Sequence, residues 1–316
     1  MVKRKKLTEK KKKDYIFVAI LLAYPVIQFV LVWSFVNIGS LLMAFKQVNA
    51  LGEEKWGLYN FIYVIEELFD KTNTATGISW FNNNLVTIVN SLGYGVITIF
   101  ITLPLSLVFS YFLQKGVPLS NTFRIVFFLP NVIPVVALTL AYNMPLDMNV
   151  GYLYKLLQSL GVPLNGSIYT QWPVSQLFVY IYCIWAGLGY NIVLMSGAIG
   201  RVPKEIFESA ELDGAGYWIE FTKITVPLIW STVVTLVVLG LTNVLTLYMQ
   251  PYLLTEQGTK GYVSTIAMEI FVAAGANDPS VNAEMAAKGL MFSLIWGPVI
   301  LIARKQISKK FADVDF

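Results

Sequence analysis

The residues best suited to carry function lie together between residues 200 and 227, a segment rich in acids and small residues. Pro203 suits the first turn of a helix, where its missing N–H costs nothing, and Glu205 and Glu208 favour the positive end of that helix dipole. Gly214 can end the helix because glycine accepts left-handed backbone. The pattern predicts a protruding helix and turn that could dock a protein partner.

A second short helix, Tyr217–Lys223, is expected to follow the turn and to reach the membrane at Pro227. Small side chains would let a partner approach this hairpin closely. They are Ser209, Ala210, Gly214, Ala215 and Gly216. The alternative interpretation is a solvated helical hairpin that only joins two membrane spans.

Other kinds of reactive site are excluded by residue type. The chain has no histidine, which excludes a histidine base or metal ligand, and its one cysteine, Cys183, excludes an intrachain disulfide. It also lacks the Gly-x-x-x-x-Gly-Lys-Ser/Thr loop that binds nucleotide phosphates, so it cannot hydrolyse ATP by that means. We therefore expect no enzyme activity and no cofactor or metal on this chain.

The elements that carry these residues must cross a membrane. Hydrophobic residues make up 56% of the 316 residues and charged residues only 13%, against ~25% charged in soluble proteins. The apolar residues gather in blocks of roughly 20 or more, enough to cross ~30 Å of hydrocarbon. These features exclude a soluble enzyme, a disordered chain and a disulfide scaffold. The predicted fold is an all-α polytopic membrane protein with six transmembrane helices, at about 15–38, 84–113, 123–143, 174–199, 226–249 and 285–303.

Basic residues indicate the orientation of the spans. The tail 1–14 holds eight Lys or Arg, and the loops and C-terminal tail on the same side bring the total to 17 of 23. The positive-inside rule then places both termini in the cytoplasm, with the basic tail near anionic membrane lipid. Nucleic-acid binding is the disfavoured alternative. A cleaved signal peptide does not fit, because the apolar run Tyr15–Phe45 is too long for one and no small-residue cleavage site follows.

The loops on the other side carry structure of their own. Residues 46–83 contain a short helical pattern at Tyr59–Phe69, and residues 144–173 contain another at Tyr152–Leu160. The apolar stretch Val263–Ala274 is too short to span and is expected to form a surface or re-entrant helix.

Charged residues near the last span are interpreted as structural. Glu284 and Lys288 have the i, i+4 spacing of a helical ion pair, and Glu269 is expected to face water. The sequence gives no sign of a buried acidic cluster or an internal repeat. This argues against an ion-coupled secondary transporter, the main alternative from another class.

The 200–227 segment resembles the EAA loop of ABC importer permeases. The matching residues are Glu208-Ser-Ala-x-x-Asp213-Gly214-Ala215, then Phe221, then Ile224-x-x-Pro227. Ser209 stands where the second letter is usually Ala, and Val226 stands where Leu usually precedes the Pro. A non-transporting membrane scaffold would have no need for this loop.

Three further segments resemble carbohydrate permeases of the maltose and glycerol-phosphate type. They are Phe123-Arg124-Ile-Val-Phe-Phe-Leu129-Pro130-Asn131-Val-Ile-Pro134, Asp147-x-x-x-Gly151-Tyr-Leu-x-x-Leu-Leu-x-x-Leu-Gly161 and Trp185-x-x-Leu188-Gly189-Tyr190-Asn191. The similarity covers about 85–303. The chain departs from it at Leu254-Thr255-Glu256-Gln257-Gly258, where many relatives have Leu-Thr-x-Gly-Gly-Pro.

The resemblance implies a type I ABC importer permease in a bacterial or archaeal cell membrane. Residues 15–316 would form one permease domain, with its core at about 84–303. The implied partners are a second related permease subunit, an ATPase dimer that carries ATP and magnesium, and an extracellular solute-binding protein. The implied ATPase-coupling residues are Glu205, Glu208, Ser209, Ala210, Asp213, Gly214 and Ala215.

The resemblance also implies a sugar or oligosaccharide site inside the spans. Trp185, Leu188, Gly189 and Ile192 share one helical face by spacing, and the matching face lines the sugar site of the maltose permease. The implied substrate-binding residues are Asn131, Val135, Trp185, Leu188, Gly189, Ile192, Asn243, Val244, Leu247 and Tyr248, with Gln250 nearby. The alternatives are helix–helix packing for Gly187 and Gly189, and a charged solute such as an amino acid or phosphate. Few ionisable side chains fall within the spans, which favours a neutral solute.

Overall fold

The computed structural model describes residues 9–48, 54–69, 83–164, 166–171, 173–255, 262–276 and 278–311. Most of the basic tail and the departure at 256–258 lie outside these residues. The helices are α1 Glu9–Gln28, α2 Ser34–Met43, α3 Tyr59–Phe69, α4 Asn83–Ile97, α5 Leu103–Gln114, α6 Ser120–Val132, α7 Val135–Asn143, α8 Tyr152–Ser159, α9 Val174–Ile199, α10 Lys204–Leu212, α11 Tyr217–Ile219, α12 Val226–Leu228, α13 Trp230–Thr246, α14 Met249–Leu254, α15 Ile266–Gly275 and α16 Pro279–Ser308.

Short segments join several of these helices without a break. The π-helical segments Phe29–Trp33, Thr98–Thr102 and Glu220–Thr225 link α1 to α2, α4 to α5 and α11 to α12, and 3₁₀ turns lie at Met144–Leu146 and Ile168–Thr170. The described strands, β1 Lys46–Val48 and β2 Glu54–Trp56, pair antiparallel with Lys46 opposite Trp56. They form a small hairpin before α3.

The predicted all-α membrane fold is confirmed. Four helices of the described residues are long and apolar enough to span: Lys11–Met43, Leu85–Gln114, Val174–Ile199 and Pro279–Ser308. Two bent helix pairs, Ser120–Val132 with Val135–Leu146 and Tyr217–Leu228 with Trp230–Thr246, bring the number to six when each counts as one span. Helix α15 is apolar and too short to cross, as expected.

The third span is not the continuous helix predicted at 123–143. The chain bends by 104° between the two halves of this span, α6 and α7. Pro134 has no N–H to donate to the turn before it, and its ring pushes the preceding residue out of the helical region. Ile133 is accordingly extended, with φ −77° and ψ 134°.

The fifth span also differs from the predicted 226–249. The chain bends by 75° at Ile229, so that the spanning helix begins at Trp230 and ends at Thr246. The residues before the bend run on from α11 through Leu228 as one helical segment. Pro227 therefore lies within the end of the 200–227 loop and not in the span.

The second, third and fourth spans pack closely on one another. Leu188 and Ile192 on α9 pack into a cluster with Leu113 on α5. Ser110 on α5 donates a hydrogen bond across the interface to the Ile192 carbonyl, at 3.2 Å. Gly189 lies directly against the Phe127 carbonyl, where a β-carbon would not fit. Small residues thus let these helices approach closely, as is common in membranes.

The first span stands apart from the rest of the chain. None of the residues in its most apolar stretch is buried. Its second half, α2, contacts α16, whereas α1 makes no comparable contact with the described bundle. The N-terminal half of this span, α1, is therefore free to lie against lipid or another protein.

The polar contacts around α15 correct two sequence expectations. The Lys288 ammonium pairs with Glu269 and not with Glu284, and the Thr87 hydroxyl donates to Glu269 at 2.6 Å. Lys288 is only 5% exposed. Glu269 consequently faces α4 and α16 and does not simply face water. The i, i+4 spacing predicted the wrong partner because it considers only residues on the same helix, whereas Glu269 and Lys288 lie on two different helices, α15 and α16.

Candidate functional site

The 200–227 loop folds as the predicted helix, turn and second helix. Helix α10 ends in a Schellman motif: the Ala215 N–H donates to the Ala210 carbonyl at 2.9 Å, and the Gly214 N–H donates to the Glu211 carbonyl at 3.0 Å. Gly214 has φ +77°, which confirms its predicted left-handed backbone. A β-carbon there would have open space around it, so that backbone conformation alone selects glycine.

The predicted coupling residues are distributed over both sides of this hairpin. Glu205, Glu208, Ser209 and Asp213 are exposed, Ala215 is half-buried, and Ala210 is buried. Glu205, Glu208 and Asp213 make no ion pair among the described residues. Their exposed carboxylates are accessible to a partner, while Ala210 packs the root of the helix.

A buried ion pair that sequence reasoning missed ties the hairpin to the bundle. The Lys115 ammonium, at the end of α5, is 2.7 Å from the Glu220 carboxylate, and Glu220 is only 3% exposed. The same ammonium lies 5.4 Å from the centroid of the Phe207 ring on α10. One lysine therefore contacts both helices of the hairpin.

Neighbouring contacts reinforce this attachment. The Tyr111 hydroxyl donates to the Tyr217 carbonyl at 3.1 Å, and the Tyr111 and Phe221 rings lie 5.2 Å apart. Ile199 and Val202, which lead from α9 into the loop, join the same buried cluster. A groove of about 300 Å³ remains between α10 and the ends of α5 and α9, lined in part by Lys115, Glu208 and Glu211.

A second candidate site is a cavity of about 570 Å³ near the middle of the bundle. It lies where the break in the third span opens, between spans two to five. The lining residues are Thr98, Thr102, Pro130, Asn131, Ile133, Val135, Leu138, Tyr182, Cys183, Ala186, Gly187, Tyr190, Asn191, Leu236, Leu239, Gly240, Asn243, Leu247 and Gln250. None of these is Asp, Glu, Lys or Arg.

Four of the ten predicted substrate residues line this cavity: Asn131, Val135, Asn243 and Leu247. The Asn131 side-chain amide donates to the Ala186 carbonyl at 3.2 Å, which ties the broken third span to α9. The Asn243 side chain makes no hydrogen bond within the described residues. Its amide is thus available to a ligand.

The other six predicted residues lie elsewhere. Leu188, Gly189 and Ile192 are buried in the packing of α9 against α5 and α6, because that is the face on which small and branched residues meet. Val244 is buried against Gly95. The remaining two pack on aromatic rings: Trp185 lies 6.1 Å from the Tyr182 ring, and Tyr248 lies 4.6 Å from the Phe271 ring.

Sequence reasoning missed Tyr182, although it lines the cavity. Its hydroxyl is buried and has no hydrogen-bond partner among the described residues. A buried hydroxyl without a partner costs free energy that a bound polar ligand can recover. Tyr182 lies three residues before Trp185, so the helical spacing that selected Trp185 could have found it.

A turn between the third span and α8 explains the Asp147-to-Gly151 spacing. The Asp147 carboxylate accepts hydrogen bonds from the N–H groups of Asn149 and Val150, at 2.8 and 3.0 Å. The hydrogen bonds from Val150 and Asn149 lower the pKa of Asp147. Gly151 packs against the Pro145 and Asp147 carbonyls, where a β-carbon would clash. This spacing is therefore the geometry of a closed turn before α8.

Comparison with known proteins agrees with this architecture. Residues 103–304 match the family described as the inner membrane component of binding-protein-dependent transport systems. The probable ABC transporter permease protein YurN of Bacillus subtilis is 35% identical over 140 residues, which are 44% of this chain and 48% of YurN. The match thus spans about half the length of YurN.

Two further similarities cover more of the chain. The arabinooligosaccharides transport system permease protein AraP of Halalkalibacterium halodurans is 20% identical over 246 residues, which are 77% of this chain and 73% of AraP. The crystal structure of a bacterial alginate ABC transporter, in complex with an alginate pentasaccharide-bound periplasmic protein, has a chain with a TM-score of 0.76 and 20% identity, covering 97% of this chain and 98% of that one. This likeness extends the agreement in fold across nearly the whole chain.

The buried ion pair should hold the hairpin in place. We predict that Lys115→Met, which leaves the Glu220 carboxylate buried without its partner, destabilises the attachment by about 3 kcal/mol. Hydrogen exchange of the backbone amides at 213–225 should then accelerate. Lys115→Met combined with Glu220→Leu should restore most of the protection. Lys204→Met is the matched control, since Lys204 lines the same groove and is exposed. Equal exchange in the parent and Lys115→Met would contradict this role.

Proposed function

The chain belongs to the family of inner membrane components of binding-protein-dependent transport systems, and we propose that it is the permease subunit of an ATP-driven importer for a neutral sugar or oligosaccharide. The observation that carries the substrate class is the central cavity, whose lining has amide, hydroxyl and aromatic groups and no charged side chain. These are the groups that satisfy sugar hydroxyls and pack on sugar C–H faces.

The substrate contacts that we propose are fewer than the sequence implied. Asn131, Asn243 and Gln250 would hydrogen-bond to hydroxyl groups, and Tyr182 would offer its unpaired hydroxyl and its ring. Val135 and Leu247 would contribute apolar surface. Trp185 would act through Tyr182, on which it packs at 6.1 Å. The name of AraP, a relative over 77% of this chain, supports a carbohydrate.

A charged solute is the alternative that the cavity disfavours. The alginate transporter with the same fold is involved in the import of an acidic polysaccharide. Binding such a solute without a cation in reach would leave carboxylates unpaired in a medium of low dielectric constant, which is costly. The present cavity has no lysine or arginine in its lining. The similarity to that structure therefore supports a shared fold, but it does not support an acidic substrate for this chain.

We propose that the exposed acids of α10 dock on a partner ATPase and that the hairpin transmits closure of that ATPase to the spans. The ATP and magnesium would reside on the partner, because this chain has no phosphate-binding loop of the Walker type. Lys115, Glu220 and Tyr111 give the hairpin a firm attachment to α5. Closure could then move α5 and α9 together and open the cavity alternately to either side. A second permease subunit would supply the other half of the path, and an extracellular binding protein would deliver the solute.

The proposed orientation places both termini in the cytoplasm. Lys310→Cys should resist an impermeant thiol reagent in intact cells, whereas Val150→Cys, which is 76% exposed in the parent, should react. Both are made in a Cys183→Ala background. The opposite labelling pattern would reverse the topology.

The cavity should select neutral sugars through hydrogen bonds to their hydroxyl groups. In vesicles that contain the assembled importer, Asn243→Leu should raise the KM for a neutral oligosaccharide about tenfold, since one lost hydrogen bond is worth about 1 kcal/mol or somewhat more. Thr246→Val is the matched control, one turn away and outside the lining. Transport of an anionic sugar in preference to every neutral one tested would refute the proposed substrate class.

The turn of the hairpin should be essential for coupling. Gly214→Ala places a β-carbon at φ +77° and should cost about 1–2 kcal/mol. Gly216→Ala is the control, because it lies in the same turn at φ −71° with open space around it. We expect Gly214→Ala to lower solute uptake several-fold, and to lower ATP hydrolysis stimulated by solute-loaded binding protein to a similar extent. A pulldown of the partner ATPase measures whether the complex still assembles. Equal activity of both variants would leave the loop as a mere connector.

A further inference from the structure

A groove of about 390 Å³ lies between the ends of the fifth and sixth spans and shares only Leu239 with the lining of the central cavity. One wall is a single face of α13, which contributes residues from Trp230 to Leu239. The other wall is the end of α16, which contributes Arg304 and Ser308. At 1.5 Å per residue the groove runs about 13 Å along α13. It is therefore elongated along the axis of α13.

The two ends of this groove differ in chemistry. Its polar end, where α13 begins and α16 ends, carries the Arg304 guanidinium, the hydroxyls of Ser231 and Ser308, and the Trp230 indole. Its deep end is formed by Val234, Val238 and Leu239 with Thr235, whose hydroxyl is already bonded to the Ser231 carbonyl at 2.9 Å. A polar, cationic end that continues into an apolar channel matches the two halves of a phospholipid.

Local contacts hold the polar end in shape. The Trp230 indole N–H donates to the Ile307 carbonyl at 2.8 Å, which joins the start of α13 to the end of α16. The Phe311 ring packs on Trp230 at 5.1 Å, and the Lys310 ammonium lies 5.5 Å from the Trp230 ring. The groove is thus a fixed feature of the helix ends, and tryptophan at this level is typical of the headgroup layer.

The charge at this end favours an anion. None of the ion pairs among the described residues involves Arg304. Lys305, Lys309 and Lys310 surround it in the chain. A guanidinium fork can bind two phosphate oxygens at once, and basic pockets between spans at the membrane surface bind anionic headgroups.

We propose that this groove binds one anionic phospholipid. Arg304, Ser231 and Ser308 hold the phosphate, and one acyl chain lies along Val234, Val238 and Leu239. The site links the fifth and sixth spans through a lipid at the level where α13 begins. The proposal requires only that these spans lie in a membrane and does not depend on the transported solute.

The test uses the assembled importer, purified with its partners, and dioleoyl phosphatidylglycerol with dioleoyl phosphatidylcholine as the uncharged comparison. Native mass spectrometry should report retention of one phosphatidylglycerol by the parent. Arg304→Gln should weaken that binding about tenfold, and Arg304→Lys should weaken it less. Lys309→Gln is the matched control, since it removes the same charge from a residue that does not line the groove. It should change retention less than twofold.

A second measurement guards against indirect effects. Phosphatidylglycerol should raise the Tm of the parent more than phosphatidylcholine does, and Arg304→Gln should abolish that difference. Val238→Trp, which fills the apolar end, should do the same with all basic residues intact. Equal losses in Arg304→Gln and Lys309→Gln would mean only general attraction to the basic tail and would overturn the site. Cross-linking of Val238→Cys to another subunit in the assembled complex would overturn it as well, because a protein would then cover the groove.

Discussion

The structure depends on one constraint: within hydrocarbon, a backbone N–H or C=O that lacks a partner inside the protein is too costly to keep. Continuous helices satisfy this constraint by themselves, whereas a break must be placed where other groups or water can compensate. Both breaks in the described spans obey this rule. The break at Ile133 and Pro134 opens onto the central cavity, and the break at Ile229 lies at the boundary between the 200–227 loop and the fifth span. The two interruptions of regular structure thus coincide with the two regions to which we assign function.

The same constraint explains how the two regions are joined. Helix α9 lines the cavity along one part of its length and leads directly into the 200–227 loop. Helix α5 packs along α9 and ends at Lys115, which contacts both helices of the hairpin. Because α5 and α9 are tightly packed, we expect the pair to move as one body. In the proposed mechanism, a displacement at the hairpin would reach the cavity through side chains that are already in contact.

Features that depend on neighbouring residues, such as the spans and the turn at Gly214, could be predicted from the sequence. Contacts between residues far apart in the sequence could not. The length of apolar runs located the spans, and the glycine at 214 located the turn, because both signals act within a few residues. The pair of Lys115 and Glu220 is separated by 105 positions, and that of Glu269 and Lys288 by 19; no periodicity connects them. In helices that are apolar all round, spacing identifies a shared face but not what that face meets. Leu188 and Ile192 share a face with Trp185, yet they pack on α5 while Trp185 packs on other rings.

The isolation of the first helix has a consequence for how the chain is made. Among the described residues, none in its most apolar stretch is buried by the other spans, so the transfer of this stretch into lipid depends little on whether the other spans are present. It can therefore enter the bilayer by itself, and in the proposed orientation its basic flank would remain on the cytoplasmic side. The bent third and fifth spans have no such independence, because their broken backbones need neighbours. This span can therefore insert on its own, whereas the bent spans insert only together with their neighbours.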